Sequence, residues 1–97
     1  MAVNRILHVI IHGRVQGVGY RAWTHHQAEL HGLEGWVRNR RDGTVEAVFS
    51  GPEERVETMI KACWEGPRGA SVQRIEEIEG QDPAIDKAPG FAVRGTV

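Results

Sequence analysis

The segment Gly35-Trp36-Val37-Arg38-Asn39-Arg40-Arg41-Asp42-Gly43-Thr44-Val45-Glu46-Ala47-Val48-Phe49 decides the fold. Its two ends, Gly35 to Arg40 and Thr44 to Phe49, are runs of β-propensity residues. Between them lies Arg41-Asp42-Gly43, and Asp-Gly favours the backbone of a tight reversal, so the segment reads as a β-hairpin. On both sides of the hairpin the pattern changes to helix. Downstream, Ser50-Gly51-Pro52-Glu53-Glu54 is a helix start: a capping residue, a proline inside the first turn, and acids near the positive end of the dipole. Val56, Met59, Ile60, Cys63 and Trp64 follow at i, i+3, i+4, i+7 and i+8, which makes one amphipathic face. Gly66-Pro67 ends that helix. Upstream, the residues from Arg21 to His31 permit a helix closed by Gly32 as its C-cap. Its apolar stripe of Trp23, Ala28 and Leu30 is imperfect.

Further out, Arg5 to His12 is short, β-branched and apolar on both faces, the pattern of a central strand. Val72 to Ile78 reads as an edge strand, Gly80 to Gly90 as a polar connection containing proline, and Phe91 to Arg94 as a short last strand. The order is β-α-β-β-α-β with a short extra C-terminal strand. It predicts an α+β ferredoxin-like sandwich with an antiparallel sheet and two helices on one face. Residues 1–97 form a single domain in this reading, without internal repeat or linker. The architecture hosts many unrelated activities, so the function has to come from a site.

Composition narrows the choice of function. Of the 97 residues, 40% are hydrophobic and 26% charged, and 12 Lys and Arg against 13 Asp and Glu leave a formal charge of −1. A general nucleic-acid or membrane-surface role usually shows as a basic excess, which is absent here. No window approaches the ~20 apolar residues of a membrane span. The start, Met1-Ala2-Val3-Asn4-Arg5, lacks the pattern of a signal peptide, so a cytoplasmic protein is expected. Cys63 is the only cysteine, which excludes an internal disulfide.

The chemistry concentrates in Gly13-Arg14-Val15-Gln16-Gly17-Val18-Gly19-Tyr20-Arg21. A loop between a buried strand and a helix can turn successive backbone N–H groups toward one point. Such a nest binds phosphate, helped by the positive end of the following helix. The spacing is neither the P-loop pattern, since no Lys-Ser or Lys-Thr follows, nor the dinucleotide fingerprint. On physical grounds alone the glycines fit a tight structural turn as readily as an anion site.

GRVQGVGYR closely resembles the first signature of the acylphosphatases. Gly35-Trp36-Val37-Arg38-Asn39 followed by Asp42-Gly43-Thr44-Val45-Glu46 is similar to their second signature, and the resemblance extends over nearly the whole chain. Tyr20 departs from the family, which more often shows Phe; the aromatic ring is kept and a hydroxyl added. The resemblance implies hydrolysis of the carboxyl–phosphate bond of acyl phosphates to a carboxylate and inorganic phosphate. It makes the backbone of Val15, Gln16, Gly17, Val18, Gly19 and Tyr20 the phosphate cradle. Arg21 becomes the phosphate-binding arginine, and Asn39 the residue that positions the attacking water. It also implies no cofactor and no metal, with inorganic phosphate or sulfate as competing anions and a monomer without nucleic-acid or membrane partners.

This residue inventory is chemically sensible. A guanidinium can grip two phosphoryl oxygens and stabilise an in-line transition state. A carboxylate is a weak base and leaves without an enzyme acid. Asn39 can accept a hydrogen bond from water but cannot deprotonate it, and the resemblance implies that the substrate phosphate takes the proton.

The remaining residues have simpler readings. Arg14 is a loop charge. Arg38, Arg40 and Arg41 form a basic run that is either a solvated hairpin end or an attractor of anionic substrate. His8 and His12 share strand parity but lie ~13 Å apart on a strand, too far for one ion. His25 and His26 diverge on a helix, and no zinc-type spacing includes His31. Cys63 sits on an apolar stripe as a core thiol. Trp23, Trp36 and Trp64 are packing residues, with Trp36 placed in sequence where it could shape the site's mouth. The alternative to an enzyme is a non-catalytic ferredoxin-like ligand-binding or regulatory module, which the near-neutral charge and the lack of paired strand aromatics disfavour. An acylphosphatase-like domain of a carbamoyl-transferring hydrogenase-maturation factor is a second rival, disfavoured by the short chain.

Overall fold

The computed structural model describes residues 3–79 and 90–97. The expected connection from Gly80 lies outside the described residues up to position 89. The elements are β1 (Asn4–Arg14), α1 (Tyr20–Leu30), β2 (Glu34–Asn39), β3 (Val45–Pro52), α2 (Glu53–Glu65), β4 (Ser71–Glu77) and β5 (Phe91–Val93). They form a five-stranded sheet in the order β4-β1-β3-β2-β5, the ferredoxin-like arrangement with one added strand. As the hairpin requires, β2 and β3 pair antiparallel, with Trp36 opposite Val48 and Asn39 opposite Val45. β1 is interior, antiparallel to β3 with Leu7 opposite Phe49, and β4 is an edge strand beside it.

The sheet is mixed rather than wholly antiparallel, because β5 runs parallel to β2, with Gly35 opposite Phe91 and Val37 opposite Val93. β4 runs from beside Arg14 to beside Val9, toward the end of the sheet where β1 and β2 both begin. β5 begins at that same end, and its direction therefore matches that of β2.

Strand alternation sends Leu7, Val9 and Ile11 of β1, Val37 of β2, and Val45, Ala47 and Phe49 of β3 to the helical face. There they meet Tyr20 and Ala28 of α1 and Val56, Met59 and Cys63 of α2. Each large side chain buried this way contributes about 1.5–3 kcal/mol. Two residues of the expected helical stripes fall outside this core. Leu30 is 67% exposed and Trp64 48% exposed, while Thr24 is buried and donates its hydroxyl to the Tyr20 carbonyl at 2.8 Å. Helix α2 also starts later than its sequence suggests. Ser50 and Gly51 belong to β3, and Pro52 is both its last residue and the N-cap of α2, with an extended ψ of 135°. A proline lacks an N–H to lose and fits this junction as well as it fits a first turn.

The opposite face of the sheet is polar and tightly wired. Arg38 donates Nε to Glu46 at 2.8 Å, and His8 Nε2 lies 2.6 Å from the other Glu46 oxygen. Burial opposes a charge on Glu46, but the hydrogen bonds with His8 and Arg38 outweigh it and hold the carboxyl below its usual range. The guanidinium groups of Arg38 and Arg94 lie over the Trp36 ring at 4.6 and 4.7 Å.

Candidate active site

β1 makes a close crossing one residue before its end at Arg14, where the loop starts. A Cβ on Gly13 would lie 2.2 Å from the Ser71 carbonyl oxygen of β4, beside a register shift between His12 and Gly13. Gly17 and Gly19 are glycines for another reason. Their φ angles are 76° and 79°, in the left-handed region, and a Cβ there would meet nothing within 4 Å. Gly19 is the N-cap of α1, accepting the Trp23 N–H at 3.0 Å, and no side chain caps that end. The first turn of α1 holds no acid and carries Arg21. Val15 and Tyr20 anchor the two ends of the loop, since both are almost wholly buried.

Tyr20 has a second anchor. Its hydroxyl donates to the Cys63 carbonyl at 2.6 Å. Four residues beyond Cys63 stands Pro67, which has no N–H to complete the helical bond, so the tyrosine supplies the missing donor. The Tyr20 hydroxyl thus ties the loop to the end of α2. Burial raises the Tyr20 hydroxyl above its ordinary range and pushes the Cys63 thiol up to about 12, so Cys63 is an inert core group.

An open pocket of about 340 Å³ gathers Val15, Gln16, Gly17, Gly19, Tyr20, Arg21, Ala22, Asn39 and Val93. Seven of the eight site residues expected from sequence line it. Val18 is the exception, and its side chain packs against the core. Asn39, the last residue of β2, faces the loop across the pocket, and its Oδ1 is buried with no hydrogen-bond partner. A buried carbonyl oxygen without a donor is costly unless something fills its place. No carboxylate among the described residues pairs with Arg21.

Several residues near the site in sequence lie elsewhere. Trp36 and Arg38 are on the opposite face of the sheet and do not shape the pocket. Arg40 lies 4.0 Å from Asp42 at the hairpin end. His8 and His12 also face away, one paired with Glu46 and the other with Glu76 at 3.1 Å. Among the described residues no three His, Cys, Asp or Glu side chains gather to hold a metal, and no helix is long and apolar enough to cross a membrane. Ala22 and Val93 line the pocket without having been expected. Ala22 follows Arg21 and is recoverable once the helix start is known, whereas Val93 arrives through the parallel pairing of β5, which no local signal announces.

Fold and pocket together define a small ferredoxin-like domain with a glycine loop and one arginine turned to a common cavity. The sequence model of the family described as Acylphosphatase matches residues 7–93. An acylphosphatase of Azorhizobium caulinodans is 57% identical over 95 residues, covering 98% of this chain and 100% of the relative. One of Bradyrhizobium diazoefficiens is 55% identical over 95 residues, covering 95% and 96%. The crystal structure of acylphosphatase from Bacillus subtilis superposes with a TM-score of 0.83 at 32% identity, covering 95% of this chain and 99% of that one. The chain belongs to the acylphosphatase family, and its activity is that of an acylphosphatase.

Proposed function

We propose that the pocket holds the phosphoryl group of an acyl phosphate between Arg21 and the backbone N–H groups of residues 15–20, with Asn39 positioning the water that attacks in line. The observation that carries this reading is the buried, unpartnered Oδ1 of Asn39 facing the same cavity as Arg21 and the glycine loop. That oxygen can accept one hydrogen bond from water and orient its lone pair toward phosphorus. The phosphoryl charge meets a guanidinium fork that no carboxylate among the described residues neutralises, and the uncapped positive end of α1. As the phosphorus–oxygen bond to the acyl group breaks, its electron pair leaves on a carboxylate that needs no proton. The water proton passes to a phosphoryl oxygen, so no general base is required of the enzyme.

The same reading makes the loop a phosphate-binding loop and the reaction independent of metal. It has the protein work as a cytoplasmic monomer without cofactor, nucleic acid or membrane. The test is hydrolysis of an aromatic acyl phosphate by the purified protein before and after dialysis against a chelator. Turnover should be unchanged by the chelator and competitively inhibited by inorganic phosphate and sulfate. Activity lost on dialysis and restored by one divalent ion would overturn the metal-free mechanism.

A further inference from the structure

We propose that Gln16 is a positioning residue that sets Asn39 at its working distance from the glycine loop; this rests on the reading of the pocket given above. The loop follows β1 and Asn39 ends β2, but these strands are not neighbours, because β3 lies between them. No ladder of backbone hydrogen bonds therefore joins the two halves of the site directly. Gln16 spans the gap. Its Nε2 donates to the Arg40 carbonyl at 2.7 Å and to the Thr44 carbonyl at 2.8 Å.

Those two carbonyls form the neck of the β2–β3 hairpin. The Arg40 N–H donates to the Thr44 carbonyl at 2.9 Å, and the Gly43 N–H donates to the Arg40 carbonyl at 3.1 Å. Each oxygen thus commits one lone pair to the hairpin itself and the other to Gln16. Only the NH2 end of an amide can serve two acceptors, so the side chain is fixed in one orientation and both of its hydrogens are used. Asn39 immediately precedes this neck. On its other side the Val97 N–H donates to the Asn39 carbonyl at 3.2 Å, and the Arg41 N–H donates to the Val97 carbonyl at 2.8 Å. Gln16 is itself held by Val15, whose side chain is buried in the core. Beyond the sheet itself, where Val45 of β3 stands between Ile11 and Asn39, the water-positioning oxygen and the phosphate cradle are therefore tied directly by one side-chain amide.

A displacement of about 1 Å between reacting groups can cost on the order of a hundredfold in rate. Gln16→Met keeps the length and removes both donors. It should lower kcat about ten- to a hundredfold while the inhibition constant of phosphate stays within about threefold, because Arg21 and the backbone cradle remain. Introduced together with Asn39→Ala, the same substitution should lower kcat by less than about twofold, since the group it positions is gone. A Gln16→Met protein with kcat within about twofold of the unaltered one would overturn the proposal, as would an equal loss in both backgrounds. Should Gln16→Met fail to fold, Gln16→Asn carries the same test, because it keeps the amide but is too short to reach both carbonyls.

The role can also be read without turnover. In Gln16→Met the side-chain NH2 resonances of Asn39 should shift, while the backbone amides of residues 15–20 keep their response to added phosphate. Unmoved Asn39 resonances would overturn the positioning role. Moved resonances in a protein that hydrolyses no acyl phosphate would instead overturn the hydrolytic reading and leave the role of Gln16 standing.

Discussion

Helix α1 begins at Tyr20 behind a left-handed Gly19, with no acid in its first turn, whereas α2 begins at Glu53 behind Pro52 and places Glu53 and Glu54 in its first turn. Both ends expose backbone N–H groups and a partial positive charge. In α2 the chain's own carboxylates answer that charge. In α1 they are missing, and an arginine adds to it. An end of this second kind is electrostatically unfavourable alone and becomes favourable when an anion arrives from outside. The comparison separates a helix start whose charge the chain answers itself from one that, in the proposed reading, is left for the substrate to answer, although the two helices pack on the same sheet.

The largest effect should come from removing the cation at the α1 end. Arg21→Ala should lower kcat/KM by about a hundredfold or more and weaken phosphate inhibition, with the thermal transition little changed. A folded variant that kept more than about a tenth of the activity would break the distinction between the two ends. Arg21→Lys should also be poor, since a point charge does not supply the guanidinium fork.

Next in size is Asn39, which faces the α1 end without belonging to it. Asn39→Ala should reduce kcat strongly and leave the phosphate inhibition constant nearly unchanged, unlike Arg21→Ala, which damages both. Asn39→Asp should do no better. At an effective dielectric of ~20 and ~5 Å, a new carboxylate repels an anionic substrate by about 3 kcal/mol before screening. Near-wild-type turnover in Asn39→Asp would show a base-like role instead of water positioning.

A smaller change can make α1 resemble α2. Ala22 is exposed in the first turn and lines the pocket. Ala22→Glu should weaken phosphate inhibition about two- to fivefold, roughly 0.5–1 kcal/mol, and the loss should shrink as salt is raised. Tighter phosphate binding in this variant would contradict the electrostatic reading. The smallest effect is the converse. Replacing Glu53 and Glu54 together by Gln should cost roughly 0.3–1 kcal/mol of stability for each charge, read from denaturant midpoints, with kcat/KM unchanged. A change in kcat/KM would mean that the α2 end also touches the reaction.

Much of this contrast was legible in the sequence, for reasons that differ by residue. The Asp42-Gly43 reversal and the apolar spacing of Val56, Met59 and Cys63 are local signals, and local signals survive folding. The glycine loop was visible as a shaped turn because backbone freedom is a property of single residues. Its reading as a phosphate site, and the roles of Arg21 and Asn39, came from the family resemblance and not from local physics. Strand alternation by itself puts Trp36 and Arg38 on the face opposite Asn39, which removes them from the pocket. The exposure of Leu30 and Trp64 was not legible, because it depends on where each helix crosses the sheet. Nor was the link from Gln16 to Arg40 and Thr44, which exists only once β3 has been laid between β1 and β2.

The pairing of β1 with β3 carries a consequence for time. It joins Ile11 to Val45 and Asn4 to Pro52, so the central pair of the sheet closes a long stretch of chain before its contacts offset the lost entropy. Such non-local topologies fold slowly for their size. Arg21 and Asn39 lie inside that closing stretch, on opposite sides of a pocket that the paired strands must first bring together. The newly made chain therefore passes an interval in which both residues are present and the pocket proposed to use them is not, and the length of that interval is set by the speed of the central pairing.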